Sequence, residues 1–286
     1  MRVLVVGHGP VARVLATSLA DSHRVGFAVR ERTEDSLLVS TSRLRIARPA
    51  RRAEQRRVAL TTAGEPGWDL VISTASPASP GVAELLGQAA VVAAVTQVPS
   101  EVELLRELAG DRPWGLAVPG FCAGGADPAW WWSPARVRFT VAGPASARLR
   151  SLFARPGWSR AAPLAAPLVS AATTMPVVAG LHAADFDLKA ARRSARQLAV
   201  AATQARAVVA AGFGGPSPRP VRPRAVLAAL AVLPPLAPFD VPDYLRRHFG
   251  GHGPQTVRML RDWVGLGRRH GLPTGELEEL LQQVPA

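Results

Sequence analysis

The sequence predicts an α/β fold, with a doubly wound, mostly parallel sheet in the first half of the chain and an all-helical second half. Three observations predict it. Short apolar runs alternate with helix-like segments up to about residue 143, the first run leads into a glycine-rich turn, and strand patterns stop after residue 165. A chain of 286 residues, 48% of them hydrophobic, can bury a substantial core, and we predict two domains, 1–160 and 161–286.

The predicted strands are apolar runs rich in branched side chains and bounded by turn residues. They cover residues 2–6, 24–29, 37–40, 57–61, 70–73, 90–94, 115–118 and 137–141. Helical spacing of apolar residues predicts helices over 11–20, 81–86, 101–108 and 145–153. In the second half, one long helix is predicted over 185–211, and two more close the chain near 255–270 and 274–283.

The first strand runs directly into a G-x-G-x-x-A turn, Gly7-His8-Gly9-Pro10-Val11-Ala12, which opens the first helix. This order is typical of dinucleotide-binding domains of the Rossmann type. Gly7 permits the tight turn, Gly9 lets backbone amides approach a pyrophosphate, and Ala12 allows close packing of helix on strand. The side chain of His8 is expected to point outward. The alternative is a buried turn in which glycine serves packing only.

The residue after the second strand distinguishes the two nicotinamide dinucleotides. An acidic side chain there would bind the ribose hydroxyls of NAD, whereas Arg30 suits the 2′-phosphate of NADP. Ligands of open α/β sheets gather at the carboxyl ends of the strands. The predicted cofactor contacts are Gly7, His8, Gly9, Pro10, Val11, Ala12, Arg30, Thr74, Ala75, Ser76 and Gln97.

Composition argues against several other classes of function. The net charge is +13, yet the arginines are scattered apart from a cluster between residues 43 and 57, so no nucleic-acid interface is predicted. Cys122 is the only cysteine, which excludes an internal disulfide and a cysteine-clustered zinc site; no metal is predicted. We find neither a signal pattern nor a run of about eighteen uncharged apolar residues, so a cytoplasmic chain with no membrane partner is expected.

Taken in order, these segments resemble the ketopantoate reductases. The resemblance rests on the glycine turn with Arg30, on residues 69–76, on Ala142-Gly143-Pro144, on Met175-Pro176 and on a block over 251–273. It implies a Rossmann-type domain followed by a helical domain like the C-terminal domain of 6-phosphogluconate dehydrogenase. It also implies NADP as cofactor, a small-molecule substrate and a homodimer.

The same resemblance shows where the chain departs from the family's active site. Pro167 stands at the place of a general-acid lysine, and Lys189 is the only lysine in the chain. Other polar residues of the family are replaced by Ser76, Gln97, Ala171, Met175, Asp243 and Gln255. Because reduction of a ketone needs a proton donor at the developing alkoxide, we do not expect the chain to reduce ketopantoate.

Five polar residues remain as catalytic candidates: Gln97, Gln255, Asp243, His182 and His252. The two glutamines are expected to orient a largely neutral ligand in a cleft that Pro167, Ala171 and Met175 also line. Asp243 would hold a positive group or cap a helix. His182 would act as an acid, or be solvated or stacked while Asp185 caps the next helix. His252 replaces an arginine of the family and would carry charge.

Two functional hypotheses follow. The first is an NADPH-dependent reductase of an imine, an activated alkene or a bulky carbonyl in specialised-metabolite biosynthesis. The second is a non-redox enzyme or binding protein that reuses the fold, with NADPH structural or absent. Trp130-Trp131-Trp132 is expected to pack at a sheet edge, or to expose rings toward an apolar ligand or a second subunit.

Overall fold

The computed structural model describes residues 1–29, 34–46, 53–62, 65, 67–134, 137–153, 157–250 and 253–285. These residues form two compact units. Unit 1 comprises Met1–Gln97 and Glu101–Ala162, and unit 2 comprises Val98–Ser100 and Pro163–Ala286.

In its described part, unit 1 holds one sheet of eleven strands and four helices. The strands are β1 (Arg2–Val6), β2 (Arg24–Ala28), β3 (Ser36–Arg43), β4 (Glu54–Thr61), β5 (Trp68–Ser73), β6 (Ala89–Ala94), β7 (Trp114–Pro119), β8 (Cys122–Gly124), β9 (Ala129–Trp132), β10 (Phe139–Ala142) and β11 (Ser159–Ala161). The helices are α1 (Pro10–Leu19), α2 (Val82–Gly87), α3 (Pro99–Ala109) and α4 (Ser146–Ser151). The order of the strands across the sheet is β11-β10-β7-β6-β5-β1-β2-β4-β3-β9-β8.

The centre of the sheet is parallel, as predicted. From β7 through β6, β5, β1 and β2 to β4 every neighbouring pair runs in the same direction, and antiparallel pairing begins at β10 and β3. Val6 pairs with both Ala28 and Ser73, and Ser73 pairs with Ala94. Strands β2, β1, β5 and β6 therefore end at one edge of the sheet, where the glycine turn begins.

The core of unit 1 forms where α1 packs on this sheet. Val3 and Val5 of β1 are fully buried, as are Ala12 and Leu15 of α1. Each large aliphatic side chain buried in this way contributes about 1.5–3 kcal/mol. The small side chain at Ala12 lets the helix approach the strand closely, which fixes the position of the helix N-terminus beside β1.

Strands β8, β9 and β11 were not predicted. They are three or four residues long, too short to show a periodic pattern. Strand β9 contains the three tryptophans; Trp131 and Trp132 are buried and Trp130 is half-buried. Trp131 contacts Phe121 and Trp158 edge-on, at centroid distances of 5.9 Å each. The packing interpretation of these rings is confirmed.

Unit 2 is helical in its described part, as predicted. Its helices are α5 (Ala165–Ala183), α6 (Leu188–Arg193), α7 (Ala195–Gly212), α8 (Pro223–Leu236), α9 (Val241–Gly250), α10 (Gly253–Arg269) and α11 (Gly275–Gln283). The single helix predicted over 185–211 is wrong, because Ser194 separates α6 from α7. Asp185 and Phe186 also precede the first of these, with φ of +47° and +59°, outside the helical region.

Helix α5 is a long helix that contains no acidic residue, lysine or arginine, and it bears on the expectation of no membrane partner. Its 19 residues have a mean hydropathy of 1.2, so by length and composition it could cross a membrane, as could α8 and α9 together if their 106° bend were one broken span. Half of the apolar stretch of α5 is buried inside the protein. Gly180 lies directly against Leu198 of α7, and an added methyl group would overlap that side chain. This close packing is typical of a core helix.

Candidate functional site

The conformation of the glycine turn is fixed by contacts between the end of β1 and the residue after β5. Gly7 has a φ of +105°, a conformation that glycine adopts readily and other residues rarely. Thr74 donates hydrogen bonds to the Val6 carbonyl from its backbone N–H (2.8 Å) and its hydroxyl (3.0 Å). A Cβ on Gly7 would overlap the Thr74 hydroxyl oxygen. Both conformation and space therefore require glycine here.

Gly9 has a different role. It is the N-cap of α1, Pro10 occupies the first turn, and that turn contains no acidic residue. A Cβ built on Gly9 would meet no described protein atom within 4 Å. The positive end of the helix dipole therefore faces open space, which is the arrangement that binds phosphate at helix N-termini.

One arginine, Arg13, and one histidine, His8, lie beside this helix end. The Arg13 Nε donates to the His8 carbonyl at 3.4 Å. The His8 ring lies 5.6 Å from the ring of Phe27 in β2. Partial burial of the imidazole, and secondly the charge of Arg13, lower the pKa of His8 below its ordinary value of 6.5. His8 is thus neutral at pH 7, and Arg13 supplies positive charge next to the turn.

The strand that precedes Arg30 ends beside the glycine turn. Ala28 pairs with Val6, and the Val29 N–H donates to the Thr61 carbonyl at 2.8 Å. Arg30 itself lies outside the described residues, as does His252. The predicted contact between Arg30 and a 2′-phosphate therefore stays a prediction.

The loops after β5 and β6 are joined by a carboxylate that the sequence interpretation missed. Glu101, in the first turn of α3, is 4% exposed. It accepts hydrogen bonds from the hydroxyls of Ser76 (2.6 Å) and Thr96 (2.5 Å). Ser73, at the end of β5, is fully buried and donates to the Ala75 carbonyl at 2.8 Å. This network fixes the Thr74–Ser76 segment and the loop that carries Gln97, which is half-buried.

In α5 of unit 2, the three residues that stand at the places of expected polar groups are apolar and largely buried. Pro167 and Ala171 are buried within α5, and Met175 is half-buried. Pro167 and Ala171 offer a substrate neither a charge nor a proton. Gln255 lies exposed near the start of α10. The predicted convergence of these residues with Gln97 stays a prediction.

Asp243 already has a cationic partner. It lies in the first turn of α9, its N–H bonds to Asp240 Oδ1 at 2.7 Å, and its Oδ1 accepts from Arg247 Nε at 3.0 Å. Asp240 is thus the capping residue of this helix. The ion pair with Arg247 is solvent-exposed and therefore weak, so a cationic ligand could still compete for Asp243.

His182 is stacked, as one of its two interpretations predicted. Its ring lies 5.3 Å from that of Phe186, at an interplanar angle of 20°. Its buried Nδ1 has no hydrogen-bond partner among the described residues. The predicted cap at Asp185 is wrong, because its backbone is left-handed and Asp187 caps α6 through the Lys189 N–H (2.7 Å). Arg246 donates to the Asp185 carbonyl at 3.2 Å and supports this turn.

Within the part of the chain that the structure describes, no three His, Cys, Asp or Glu side chains are grouped so as to hold a metal ion. Cys122 is a half-buried cysteine in β8.

No protein-family model matches the sequence, and no curated protein sequence matches it. Three solved structures illustrate the fold similarity. A 2-dehydropantoate 2-reductase (ketopantoate reductase) from Geobacter metallireducens is 14% identical, with 99% of each chain covered and a TM-score of 0.72. A dimeric ketopantoate reductase from Staphylococcus aureus is 12% identical, with coverage of 99% of this chain and 97% of that one and a TM-score of 0.71.

The third structure is a D-mandelate dehydrogenase with NADH and anilino(oxo)acetate. It is 10% identical, with coverage of 99% of this chain and 97% of that one and a TM-score of 0.72. At these identities the comparisons show the fold. The predicted resemblance to the ketopantoate reductases is confirmed at that level: a Rossmann-type sheet domain followed by a helical domain.

Proposed function

We propose that this chain is an NADPH-dependent oxidoreductase that uses the ketopantoate reductase fold for a different, less polar substrate. The carrying observation is the open space at Gly9, at the acid-free N-terminus of α1, beside a turn that Gly7 and Thr74 hold in shape. The similar folds belong to oxidoreductases, and one of these structures contains NADH. These two findings together support a dinucleotide at the glycine turn.

The preference for NADPH rests on positive charge near the turn. Arg30 follows the end of β2 by two residues, where a ribose-binding acid would stand in an NAD enzyme. Arg13 lies one turn into α1 and adds a second guanidinium. When bound, the dinucleotide supplies the hydride; the residues of this chain hold its phosphates and orient the substrate.

The substrate class follows from what α5 lacks. Neither Pro167 nor Ala171 can donate a proton, and Lys189, the only lysine, lies exposed in α6. An iminium carbon accepts hydride to give a neutral amine, so it needs no proton donor at that step. An activated alkene or a bulky carbonyl would draw on polar groups such as Gln97, Gln255, His182 or His252. Asp243 would favour the cationic iminium.

We further propose that the chain acts in the cytoplasm as a homodimer in specialised-metabolite biosynthesis. One structure with the same fold is dimeric, which supports the homodimer. Size-exclusion chromatography with light scattering measures this directly, and a monomer at all concentrations would refute it.

The function is tested by calorimetry and by NADPH oxidation. NADPH should bind the native chain, and Gly9→Ala should weaken binding at least about tenfold, because the methyl group enters space reserved for a phosphate. Its melting temperature should stay unchanged, since that methyl group touches no described atom. Imines, activated alkenes and bulky ketones are then screened for NADPH consumption.

The outcomes separate the two functions. Consumption of NADPH with any of these substrates supports the reductase. Tight NADPH binding without oxidation favours a non-redox enzyme or binding protein with a structural dinucleotide. Failure of both NADPH and NADH to bind would refute the proposal.

A further inference from the structure

Helix α8 of unit 2 presents an apolar surface that the described part of the chain leaves exposed. Every side chain from Ala225 to Ala237 is apolar. The helix packs on α6 and α7, and only Val226 and Leu230 of it are buried. Its other large side chains are exposed: Leu227 at 41%, Val232 at 51%, Leu233 at 45% and Leu236 at 49%. A helix without a polar face that stays exposed in this way marks a surface for a partner.

The sequence around α8 carries charge of one sign only. Residues 188–239 contain Lys189 and seven arginines (192, 193, 196, 206, 219, 222 and 224) but no aspartate or glutamate. Arg219, Arg222 and Arg224, at the N-terminal end of α8, are all exposed. An apolar helix with cations at one end is complementary to an anionic lipid bilayer. The hydrocarbon of the bilayer accepts apolar side chains, and its phosphates attract guanidinium groups.

A second copy of the chain matches this surface less well. In a symmetric dimer the same patch lies on both subunits, so the basic segment would face an identical basic segment. The next acidic residues along the chain do not offset this charge. Asp243 is paired with Arg247 at 3.0 Å, and Asp240 accepts the Asp243 N–H at 2.7 Å. The charge around α8 therefore favours an anionic partner over a second copy.

Two prolines in α8 indicate the depth at which such a helix is stable. Pro234 and Pro235 have no N–H to donate to the carbonyls of Leu230 and Ala231, four residues earlier. Arg192 of α6 replaces the first of these bonds, because it donates to the Leu230 carbonyl at 3.0 Å. Ala231 is exposed, so water serves its carbonyl, whereas hydrocarbon offers no donor. The helix therefore suits the boundary of a bilayer rather than its interior.

We propose that α8 docks on the surface of an anionic phospholipid bilayer. Leu233 and Leu236 enter the boundary between head groups and hydrocarbon, and Arg222 and Arg224 bind lipid phosphates. The contact is peripheral, so it is compatible with the proposed cytoplasmic location, although it departs from the expectation of no membrane partner. It depends neither on the dinucleotide nor on the proposed redox function.

The experiment measures flotation of the full chain with two kinds of vesicle. One kind is pure phosphatidylcholine, and the other contains about 30% phosphatidylglycerol, which is anionic. We expect the chain to float with the anionic vesicles and to bind the neutral ones at least about tenfold more weakly. Added salt should weaken the binding to anionic vesicles, because it screens the charges. No binding to anionic vesicles, or equal binding to both kinds, would overturn the proposal.

Matched variants test whether α8 makes the contact. Leu233→Gln should weaken binding to anionic vesicles about tenfold, because it removes a large apolar side chain from the boundary. Leu38→Gln, in β3 and with a similar exposure of 48%, should leave binding unchanged. Arg224→Gln should weaken binding about fivefold, and Arg148→Gln, at an exposed position of α4, should have no comparable effect. Equal effects within either pair would overturn the proposal.

Two further measurements guard these comparisons. Melting temperatures confirm that each variant folds. Light scattering without lipid tests whether a second copy covers α8 instead. If Leu233→Gln separates a dimer into monomers and the native chain does not bind anionic vesicles, α8 is a contact between copies and the proposal is overturned. An oligomeric state that is the same in the native chain and in Leu233→Gln, together with weaker vesicle binding by the variant, supports the lipid surface.

Discussion

Gly7 and Thr74 are in contact where β1 and β5 end side by side. Thr74 closes the glycine turn with two hydrogen bonds to the Val6 carbonyl, and its hydroxyl fills the space in which a Cβ on Gly7 would lie. The open end of α1 therefore depends on a residue 67 positions further along the chain. Glycine at position 7 is therefore required by the fold itself. At Gly9 the protein leaves room for a side chain, so a substitution there would affect a bound ligand rather than the fold.

Gly7→Ala should lower the free energy of unfolding by more than about 2 kcal/mol, because it combines a left-handed backbone with overlap at Thr74. Gly110→Ala is the matched control: its φ is +56°, but its added methyl group meets no described atom within 4 Å. Gly110→Ala should lower the free energy of unfolding by about 1 kcal/mol, because only the positive φ is unfavourable for alanine. Chemical denaturation measures both, and equal losses would contradict the overlap at Thr74.

The lowered pKa of His8 predicts a dependence of stability on pH. The unfolded imidazole takes up a proton near its ordinary pKa of 6.5, whereas the folded one does so only at lower pH. The unfolded state therefore binds more protons between these two values, and the native chain loses stability as pH falls through this window. The loss is complete below the folded pKa.

His8→Gln should remove this pH-dependent loss of stability. Between pH 7 and pH 5 the free energy of unfolding of the variant should therefore fall less than that of the native chain. Urea denaturation at each of about five pH values measures the difference. His270→Gln, at an exposed position after α10, serves as the control. If the free energy of unfolding depended on pH in the same way in His8→Gln and in the native chain, the lowered pKa of His8 would make no contribution to acid sensitivity.

Arg30→Ala should weaken the binding of NADPH by more than it weakens the binding of NADH. The guanidinium would contact the 2′-phosphate, which only NADPH carries, and loss of such a charge-assisted contact typically costs about tenfold or more. Calorimetry of both cofactors on both proteins measures the difference. Equal losses for the two cofactors would assign Arg30 a role in folding or in general charge rather than in selection.

The chain should not turn over ketopantoate at ordinary enzyme rates, on the order of 1 s⁻¹ or faster. Pro167 and Ala171 are buried apolar residues of α5 and provide no proton for the alkoxide. Lys189→Gln should leave any residual rate unchanged, because this lysine lies exposed beside the cap of α6. Rapid NADPH consumption with ketopantoate, or its loss in Lys189→Gln, would show that the chain has a proton donor after all.

The parts of the fold that could be predicted are those whose signal is local. Strand β1 was predicted with its observed bounds, and α1 to within one residue at each end, because an apolar run, two glycines and a helical pattern follow one another directly. The break before α6 could not be predicted in this way. Its left-handed residues, Asp185 and Phe186, are supported by Arg246, which lies 61 residues after Asp185 and 60 after Phe186.

The same reason explains what was missed in the site. Glu101 was recognised only as the start of a helix, because its carboxylate acquires a role through Ser76, 25 residues earlier. Position in the sequence suggested Ser76 and Gln97 as site residues, but not the buried group that holds their loops. An acidic residue in a first helical turn, with hydroxyl-bearing residues just after the two preceding strands, is a signal that could have found it.

Glu101 therefore supports the last prediction. Glu101→Ala removes the acceptor shared by the hydroxyls of Ser76 and Thr96, and hydrogen bonds to charged groups contribute about 1.5–3 kcal/mol each. We expect a loss of about 3 kcal/mol in the free energy of unfolding. Glu101→Gln retains one acceptor oxygen and should lose about 1 kcal/mol. Glu107→Ala, on an exposed position of the same helix, should stay within about 0.5 kcal/mol of the native chain.

A second readout separates stability from positioning in this network. If Glu101 holds the loop after β5 in place for the dinucleotide, Glu101→Gln should weaken NADPH binding under conditions in which the variant is fully folded. The native hydroxyl of Ser76 would then be displaced without global unfolding. Unchanged NADPH affinity in a folded Glu101→Gln variant would restrict this carboxylate to stability. Equal stabilities for Glu101→Ala and Glu107→Ala would contradict the network itself, because a buried acceptor of two hydroxyls cannot be removed without cost.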